Sequence, residues 1–530
     1  MTPSSVVRRP SSVMIVAAMA ISASAAPQKH DHASLGEIIR ASRLIGSMRL
    51  DEARHAIADL VKKSPDQPEV KWLEAELAFH DGDYTGALKD LDGVSDDAVD
   101  GEAGATRSLA ANTLAVTNAF VHKDSPGGHF TIYYAPGPDE LMVDLAGETL
   151  DKAWDRIGDD LGWKPTEKIR VEILGRPSDL SHLSTLTEQE IETTGTIALS
   201  KYGKLMVVSP RATVLGYPWM DTLAHEYTHL VVSHISHDQV PVWLQEGLAR
   251  FEQERWRSDP PFALPGSDQR ILASAIKNRR LIGFDEMGSS FAKLPTHDAA
   301  ALSYAEVFTL VAWIHSKVGY EGLRELIVKQ QTGKSARRAI AEALDTQWPK
   351  VEQGWQQYLH TLDLSAGRTA RDKRIRFAKG GHDEDNVGLD AVASAKAKKH
   401  ARLGGMLRAR GMLDAAAIEY EKGLTASPGD PFIGGKLART YVELGKHDRA
   451  IELAKPIAAA DDADPTPAVT LGIAYAARGD WEPAAGAFEQ ALRITPFDPA
   501  VRCGLADVYE HTSDPRAARE HDACDRLRQH

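Results

Sequence analysis

Apolar and small residues recur along this chain with two rhythms. Towards the C-terminus they return every 34 positions: Gly411, Gly445 and Gly479 keep that spacing, as do Ala416, Ala450, Ala484 and Ala518. The pairs Leu403-Gly404, Leu437-Ala438, Leu471-Gly472 and Leu505-Ala506 share the period, and Pro431, Pro465 and Pro499 close the units. Small residues let two antiparallel helices approach, Gly turns the chain between them, and Pro stops the second helix. The pattern predicts four helix pairs over residues 396–530. A weaker copy lies near the N-terminus. Ala41 and Ala75 are 34 apart, as are Ala53 and Ala87, with Gly82-Asp83-Tyr84 fitting a turn and Pro65 a helix stop. Two degenerate pairs are expected over residues 34–95, then a helix near 106–120; the alternative is an unrelated set of helical hairpins.

Between them the rhythm changes. Phe130–Tyr134 and Ile169–Leu174 read as strands, with an amphipathic helix over Glu140–Leu161 between them. Residues 196–199 and Lys204–Val208 flank Lys201-Tyr202-Gly203, which predicts a hairpin. From Trp219 to about Leu362 the pattern is helical. A small sheet followed by helices predicts an α+β domain over residues 126–363. Residues 364–395 are rich in Arg, Lys, Asp and Gly and read as a linker, with the basic run at 368–376 as a solvated face. The flanking period of 34 resembles the tetratricopeptide repeat. That gives all-α repeats at residues 34–120 and 396–530, on either side of the α+β domain.

At 530 residues the chain is too long for one ordinary core. A formal net charge of -13 argues against nucleic acid or an anionic membrane as the main partner. Arg8 and Arg9 precede a short apolar run at 13–21 and the small-x-small pattern Ala23-Ser24-Ala25. This predicts a signal peptide over residues 1–25, and a periplasmic or secreted bacterial protein after its removal. An uncleaved anchor or a misplaced start is the alternative. The Arg pair also raises twin-Arg export, but the rest of that motif is missing. The apolar run is short for a bilayer, and no later stretch is long enough to make a stable membrane span. Cys503 and Cys524 are the two cysteines of the chain. In an oxidising compartment they can pair within the last repeat; otherwise they are buried thiols.

The chemistry concentrates in His225-Glu226-Tyr227-Thr228-His229, inside an apolar-periodic run. On a helix, positions i and i+4 share a face, so both imidazoles can meet one metal ion, with Glu226 beside them as general base. A structure-breaking proline then opens Pro241-Val242-Trp243-Leu244-Gln245-Glu246-Gly247-Leu248-Ala249, a second helix. Glu246, 17 residues after His229, can return as the third ligand. Three protein ligands with an open fourth position mark a catalytic zinc site.

These segments resemble the gluzincin metallopeptidases of the peptidase MA-like superfamily, especially the aminopeptidase-N-like branch and its smaller bacterial relatives. The resemblance is specific over residues 221–252 and extends more loosely over 128–362. It implies one Zn2+ per chain on His225, His229 and Glu246, hydrolysis of a peptide or protein substrate, and Glu226 as base. It also implies a downstream tyrosine that stabilises the oxyanion. Tyr304 opens an apolar helix at a suitable distance; the alternative is a tyrosine packed at a helix start. The family's GxMEN segment, which binds a free amino terminus, is absent near residues 195–199, so endopeptidase action is favoured over aminopeptidase action. The repeats are expected to recruit a substrate or protein partner. The competing reading is an inactive gluzincin-fold scaffold of the cell envelope. Of the other histidines, His234 and His237 are expected in a solvated loop, His30 and His32 near the mature N-terminus, His382 in the linker, and His297 near Tyr304 in the cleft.

Overall fold

Alternation along the strands settles which side of the sheet faces what. Five strands form it: β1 (Val121–Asp124), β2 (Phe130–Tyr134), β3 (Ile169–Leu174), β4 (Ala198–Lys201) and β5 (Lys204–Val208). The order is β1-β2-β3-β5-β4, with β2, β3 and β5 parallel and both edge strands antiparallel to their neighbours. β2 and β3 fall at their expected bounds, and β4 starts two residues later than 196–199. β1, Val-His-Lys-Asp, is exposed throughout and has no apolar alternation to announce it. The computed structural model describes residues 32–529 except 288–290, 292, 293, 295, 369, 371–374, 379–387, 461 and 462. The signal segment 1–25, His30, His382 and much of the 364–395 linker lie outside the described residues.

The N-terminal helices are α1 (Leu35–Gly46), α2 (Leu50–Lys63), α3 (Pro68–His80), α4 (Tyr84–Asp90) and α5 (Glu102–Thr117). The central ones are α6 (Glu140–Leu161), α7 (Pro177–His182), α8 (Glu188–Thr194), α9 (Trp219–Ser236), α10 (Val242–Glu252), α11 (Gly266–Asn278), α12 (His297–Val328), α13 (Ala336–Ala343) and α14 (Trp348–Leu359). Successive side chains of a strand point to opposite faces. Val171, Ile173, Leu205 and Val207 accordingly join the main core with α6 and α9. Leu174, Met206 and Val208 face a smaller cluster with Leu180, Leu183 and Ile191 of the α7–α8 region.

That second face also carries charge. Glu172 and Lys204 are fully buried and paired at 2.9 Å, and Arg170 donates to Glu172 at 2.6 Å. Tyr84 of α4 completes the group: its hydroxyl donates to Glu172 at 2.7 Å and accepts from Lys204 at 2.6 Å. Helices α1–α5 have their own core and meet the sheet through this network.

The C-terminal repeats are α15 (Ala395–Ala409), α16 (Leu413–Ala426), α17 (Pro431–Glu443), α18 (His447–Ala460), α19 (Thr466–Arg478), α20 (Trp481–Leu492), α21 (Pro499–His511) and α22 (Ala517–Arg528). The small residues of the 34-residue period sit where rings press in. A methyl on Gly404 would stand 2.7 Å from the Tyr420 ring, and one on Gly472 would stand 2.6 Å from the Phe488 ring. The first two repeats form most of a separate cluster. The last two do not stand apart. Phe488, Leu492, Val501, Leu505 and Tyr509 belong to the same core as the sheet and α9. Cys503 and Cys524 are disulfide-bonded across α21 and α22.

Candidate metal centre

Helix α9 is buried along most of its length, so its polar side chains are held in fixed directions. Its N-terminus has no side-chain cap. The donors there are met by carbonyls from the end of α20 instead. Trp219 N donates to Arg493 O and Trp219 Nε1 to Leu492 O, each at 3.1 Å, and Tyr217 N donates to Ile494 O at 3.1 Å. Gly216 lies so close that a methyl there would stand 2.3 Å from Ile494 O. At the other end α9 stops at His237, in the left-handed region with φ 53°. Pro241, extended at ψ 151°, then starts α10.

This turn brings three side chains together. His225 Nε2 and His229 Nε2 are 3.1 Å apart. Glu246 Oε2 is 3.4 Å from the first and 3.6 Å from the second. Ligand atoms about 2.0–2.1 Å from one zinc ion at tetrahedral angles stand about 3.3 Å from each other, so the donor set fits that ion. Among the described residues this is the one group of three or more His, Cys, Asp or Glu side chains so arranged. Glu246 Oε2 is buried and accepts no well-formed hydrogen bond, although both imidazoles lie within ion-pair range. A buried acceptor facing two ring nitrogens is what a cation site leaves behind when only protein atoms are considered.

The electrostatics agree. Burial, reinforced by the neighbouring His229, lowers His225 to about 4, against the pull of Glu246. Burial also resists charging His229, but the Glu246 and Glu226 carboxylates outweigh it and raise that residue to about 9. Burial would raise Glu246, yet the two imidazoles hold it below the usual carboxylate range. Without a metal the His229 proton balances the Glu246 carboxylate, so the cluster holds an ion pair and no net positive charge that would oppose a cation.

Orientation comes from a relay the sequence did not reveal. Gln245, beside the third ligand, accepts from His229 Nδ1 at 3.3 Å and donates to Ser233 Oγ at 3.1 Å, and Ser233 Oγ donates to Asp238 at 3.0 Å. Such an outer bond fixes which ring nitrogen is free to bind a metal. Glu226 is buried, which pushes its carboxyl up to about 7, while the backbone N–H of Ser200 on β4 pulls it back. The edge strand therefore faces the base. Tyr304 is partly buried on α12, edge-on to Phe291 at 4.9 Å. Its phenol is pushed well above the ordinary value by burial first and then by Glu246, with Arg250 opposing, so it keeps its proton. The structure thus gives Tyr304 both a packed ring and electrical contact with the cluster. Arg250, one helical turn beyond Glu246, ion-pairs with Asp268 and donates to Gln253 at 3.0 Å.

Three histidine expectations change. His234 lies in the last turn of α9 and not in a loop, stacked on Trp163 with ring centres 3.8 Å apart. His237 is half-buried, because the turn it caps packs against the N-terminal repeats. His297 begins α12 with an exposed side chain and stays outside the cluster.

Residues 149–361 match the Peptidase MA superfamily. Residues 40–97, 436–499 and 469–528 match the tetratricopeptide repeat. Among curated proteins, the chain is 28% identical over 109 residues to small glutamine-rich tetratricopeptide repeat-containing protein 2 of Mycosarcoma maydis, covering 20% of this chain and 31% of that one. It is 29% identical over 162 residues to cellulose synthase operon protein C of Pseudomonas fluorescens strain SBW25, covering 29% of this chain and 12% of that one. The chain thus spans under a third of either relative. Among solved structures, yeast LTA4 hydrolase in complex with bestatin is 10% identical, with a TM-score of 0.30 over 77% of this chain and 67% of that one. A structure of MamA is 24% identical, with a TM-score of 0.24 over 28% of this chain and 86% of that one. Likenesses of that size define neither fold nor function. The chain carries a Peptidase MA superfamily domain, α+β in fold, flanked on both sides by tetratricopeptide repeats.

Proposed function

We propose that this chain is an exported zinc-dependent peptidase, with one Zn2+ held by His225, His229 and Glu246. The observation that carries the reading is the convergence of those three ligand atoms beside a buried glutamate on a Peptidase MA domain. Zinc in such a site polarises a peptide carbonyl and makes water nucleophilic near neutral pH. Glu226, already near neutrality through burial, takes the proton of the attacking water and passes it to the leaving amine. The Ser200 N–H on β4 favours the ionised form of Glu226. Tyr304, protonated and close enough to feel both carboxylates, donates its O–H to the oxyanion. Gln245 fixes the tautomer of His229.

The missing amine-binding segment supports internal cleavage over aminopeptidase action. Among the described residues no helix is long and apolar enough to cross a membrane. Export rests on the N-terminal signal pattern, and periplasmic or secreted localisation follows from it. The C-terminal repeats serve a protein partner. A groove of about 680 Å³ between α16, α17 and α18, lined by Leu424, Leu437, Tyr441 and Ile457, is the place for it.

The test is zinc content by mass spectrometry, together with hydrolysis of a mixed library of short peptides, on the wild-type chain and Glu226→Gln. The expected result is one zinc in both and turnover in the wild type alone. Zinc without turnover in either would make the domain an inactive scaffold. Folded protein that binds no zinc would remove the proposal.

A further inference from the structure

We propose that the N-terminal repeats and the segment leading into the C-terminal repeats close the two ends of the cleft beside β4, so that this centre takes short unstructured oligopeptides and cuts them internally. The inference rests on the peptidase reading and names its substrate class. β4 is an edge strand packed against α9, the helix that carries Glu226, so its free edge lies beside the base. An extended peptide can pair with such an edge by backbone hydrogen bonds whatever its sequence. The length it can pair over is set by what lies beyond the strand.

At one end β4 runs into Tyr202 and Gly203, both at positive φ, 58° and 72°. A bulky residue at positive φ is strained and persists only where its surroundings hold it. Here the N-terminal repeats hold it. The Tyr202 ring lies edge-on to Phe79 at 4.9 Å and to His80 at 5.5 Å. A methyl on Gly203 would stand 3.6 Å from Met48 and 3.7 Å from Leu50. The same α1–α2 turn reaches the end of α9, where Arg49 and Glu52 act on His237. Edge strand and zinc helix therefore both end against the N-terminal repeats.

At the other end the segment leading to the C-terminal repeats crosses. A methyl on Gly195 would meet Ile375 at 3.4 Å. Residues 375–378 are strapped down by Val214 N to Arg376 O at 2.9 Å, Ala378 N to Ala212 O at 2.8 Å, and a bridge between Thr213 and Phe377. At these residues the expected solvated linker is instead held by backbone pairing. Alongside it, the start of α9 abuts Leu492, Arg493 and Ile494 of the repeats. Between Gly195 and Tyr202 the open edge is residues 196–201. At about 3.3 Å per residue that is about 20 Å, room for about six residues of extended peptide. The N-terminal repeats and that segment thus act as end walls, and a folded protein has no way to lay a long segment along the strand.

The test gives the zinc-loaded full chain unstructured peptides of about six, twelve and twenty-four residues around one scissile sequence, and also casein. We expect kcat/KM to fall at least about tenfold from the shortest to the next length, and casein to stay intact. The Glu226→Gln chain should bind the shortest peptide at least about tenfold more tightly than the longest, read by fluorescence anisotropy. Equal kcat/KM across all lengths, with casein cut, overturns the end walls and leaves the peptidase standing. Zinc-loaded protein that hydrolyses no peptide of any length removes the peptidase reading, and this inference with it.

Discussion

The N-terminal repeats keep a core of their own, running from Ile38 to Ala110, and reach the sheet through Tyr84, Glu172, Lys204 and Arg170. The last two C-terminal repeats keep no separate core. Phe488, Leu492 and Leu505 pack into the same cluster as β3, α6 and α9, and the end of α20 meets the start of α9. One period of sequence has thus been docked on one domain in two ways. A polar junction demands that every charge find its partner, and it specifies one geometry. A shared apolar core binds two regions into one cooperative unit. Helix α9 depends on the second kind.

The largest break comes from emptying the shared core. Phe488→Ala is expected to cost about 3–5 kcal/mol, and to lower one common thermal transition of the last repeats and the catalytic domain. Two separated transitions in calorimetry would show that the core is not shared energetically. At the polar junction, Lys204→Met leaves the buried Glu172 without its fully buried cation, with Arg170 alone to face it, and should cost about 3 kcal/mol in denaturant unfolding. The double change Lys204→Met with Glu172→Met should recover more than half of that, because apolar replacement of a whole buried pair is nearly neutral. No recovery would mean that the junction works by Coulombic gain and not by satisfaction of buried charge.

Glu306 sharpens the contrast, being a buried carboxyl for which no cationic partner is found among the described residues. Ile282 N–H bonds one oxygen at 2.8 Å and the other has no partner. Burial, despite that N–H, raises it from 4.5 to about 8. The folded chain therefore holds this proton more tightly than the unfolded chain. The stability it contributes is full below about pH 4.5 and is lost as pH rises through about 8. Glu306→Gln should flatten that window and add on the order of 2 kcal/mol at pH 8, read from urea midpoints across pH. An unchanged pH profile would place the slope elsewhere. The smallest effect is expected from Trp219→Phe, which keeps a six-membered ring, loses the indole N–H bond to Leu492 and leaves a small cavity, at about 1–2 kcal/mol. A loss several times larger would mean that the cap on α9 outweighs the packing around it.

Much of this was legible in the sequence because it follows a period. The 34-residue spacing located both arrays, strand alternation placed β2, β3 and β5, and i,i+4 spacing put His225 and His229 on one face. Glu246 could be named because a helix signal starts at Pro241, in step with the motif. What escaped has no local signature. Gln245 is one polar residue in an apolar helix until His229 is seen beside it. Residues 375–378 look like linker because their pairing partners lie more than 150 positions earlier. His234 was placed in a loop because nothing near it in sequence indicates Trp163, on which it stacks. Nor does the period tell which repeats stand free and which merge with another domain, since Gly472 and Gly404 read alike while their neighbours differ.

The cap on α9 also has a meaning in time. Synthesis runs from the N-terminus, so a nascent chain that has emerged to residue 363 already carries His225, Glu226, His229 and Glu246. It does not yet carry the carbonyls of Leu492, Arg493 and Ile494 that receive the Trp219 side chain, the Trp219 N–H and the Tyr217 N–H at the start of the helix bearing three of them. Assembly of the centre finishes only when the third C-terminal repeat has been made, so a chain cut short before it holds the residues of the site without the support that sets them.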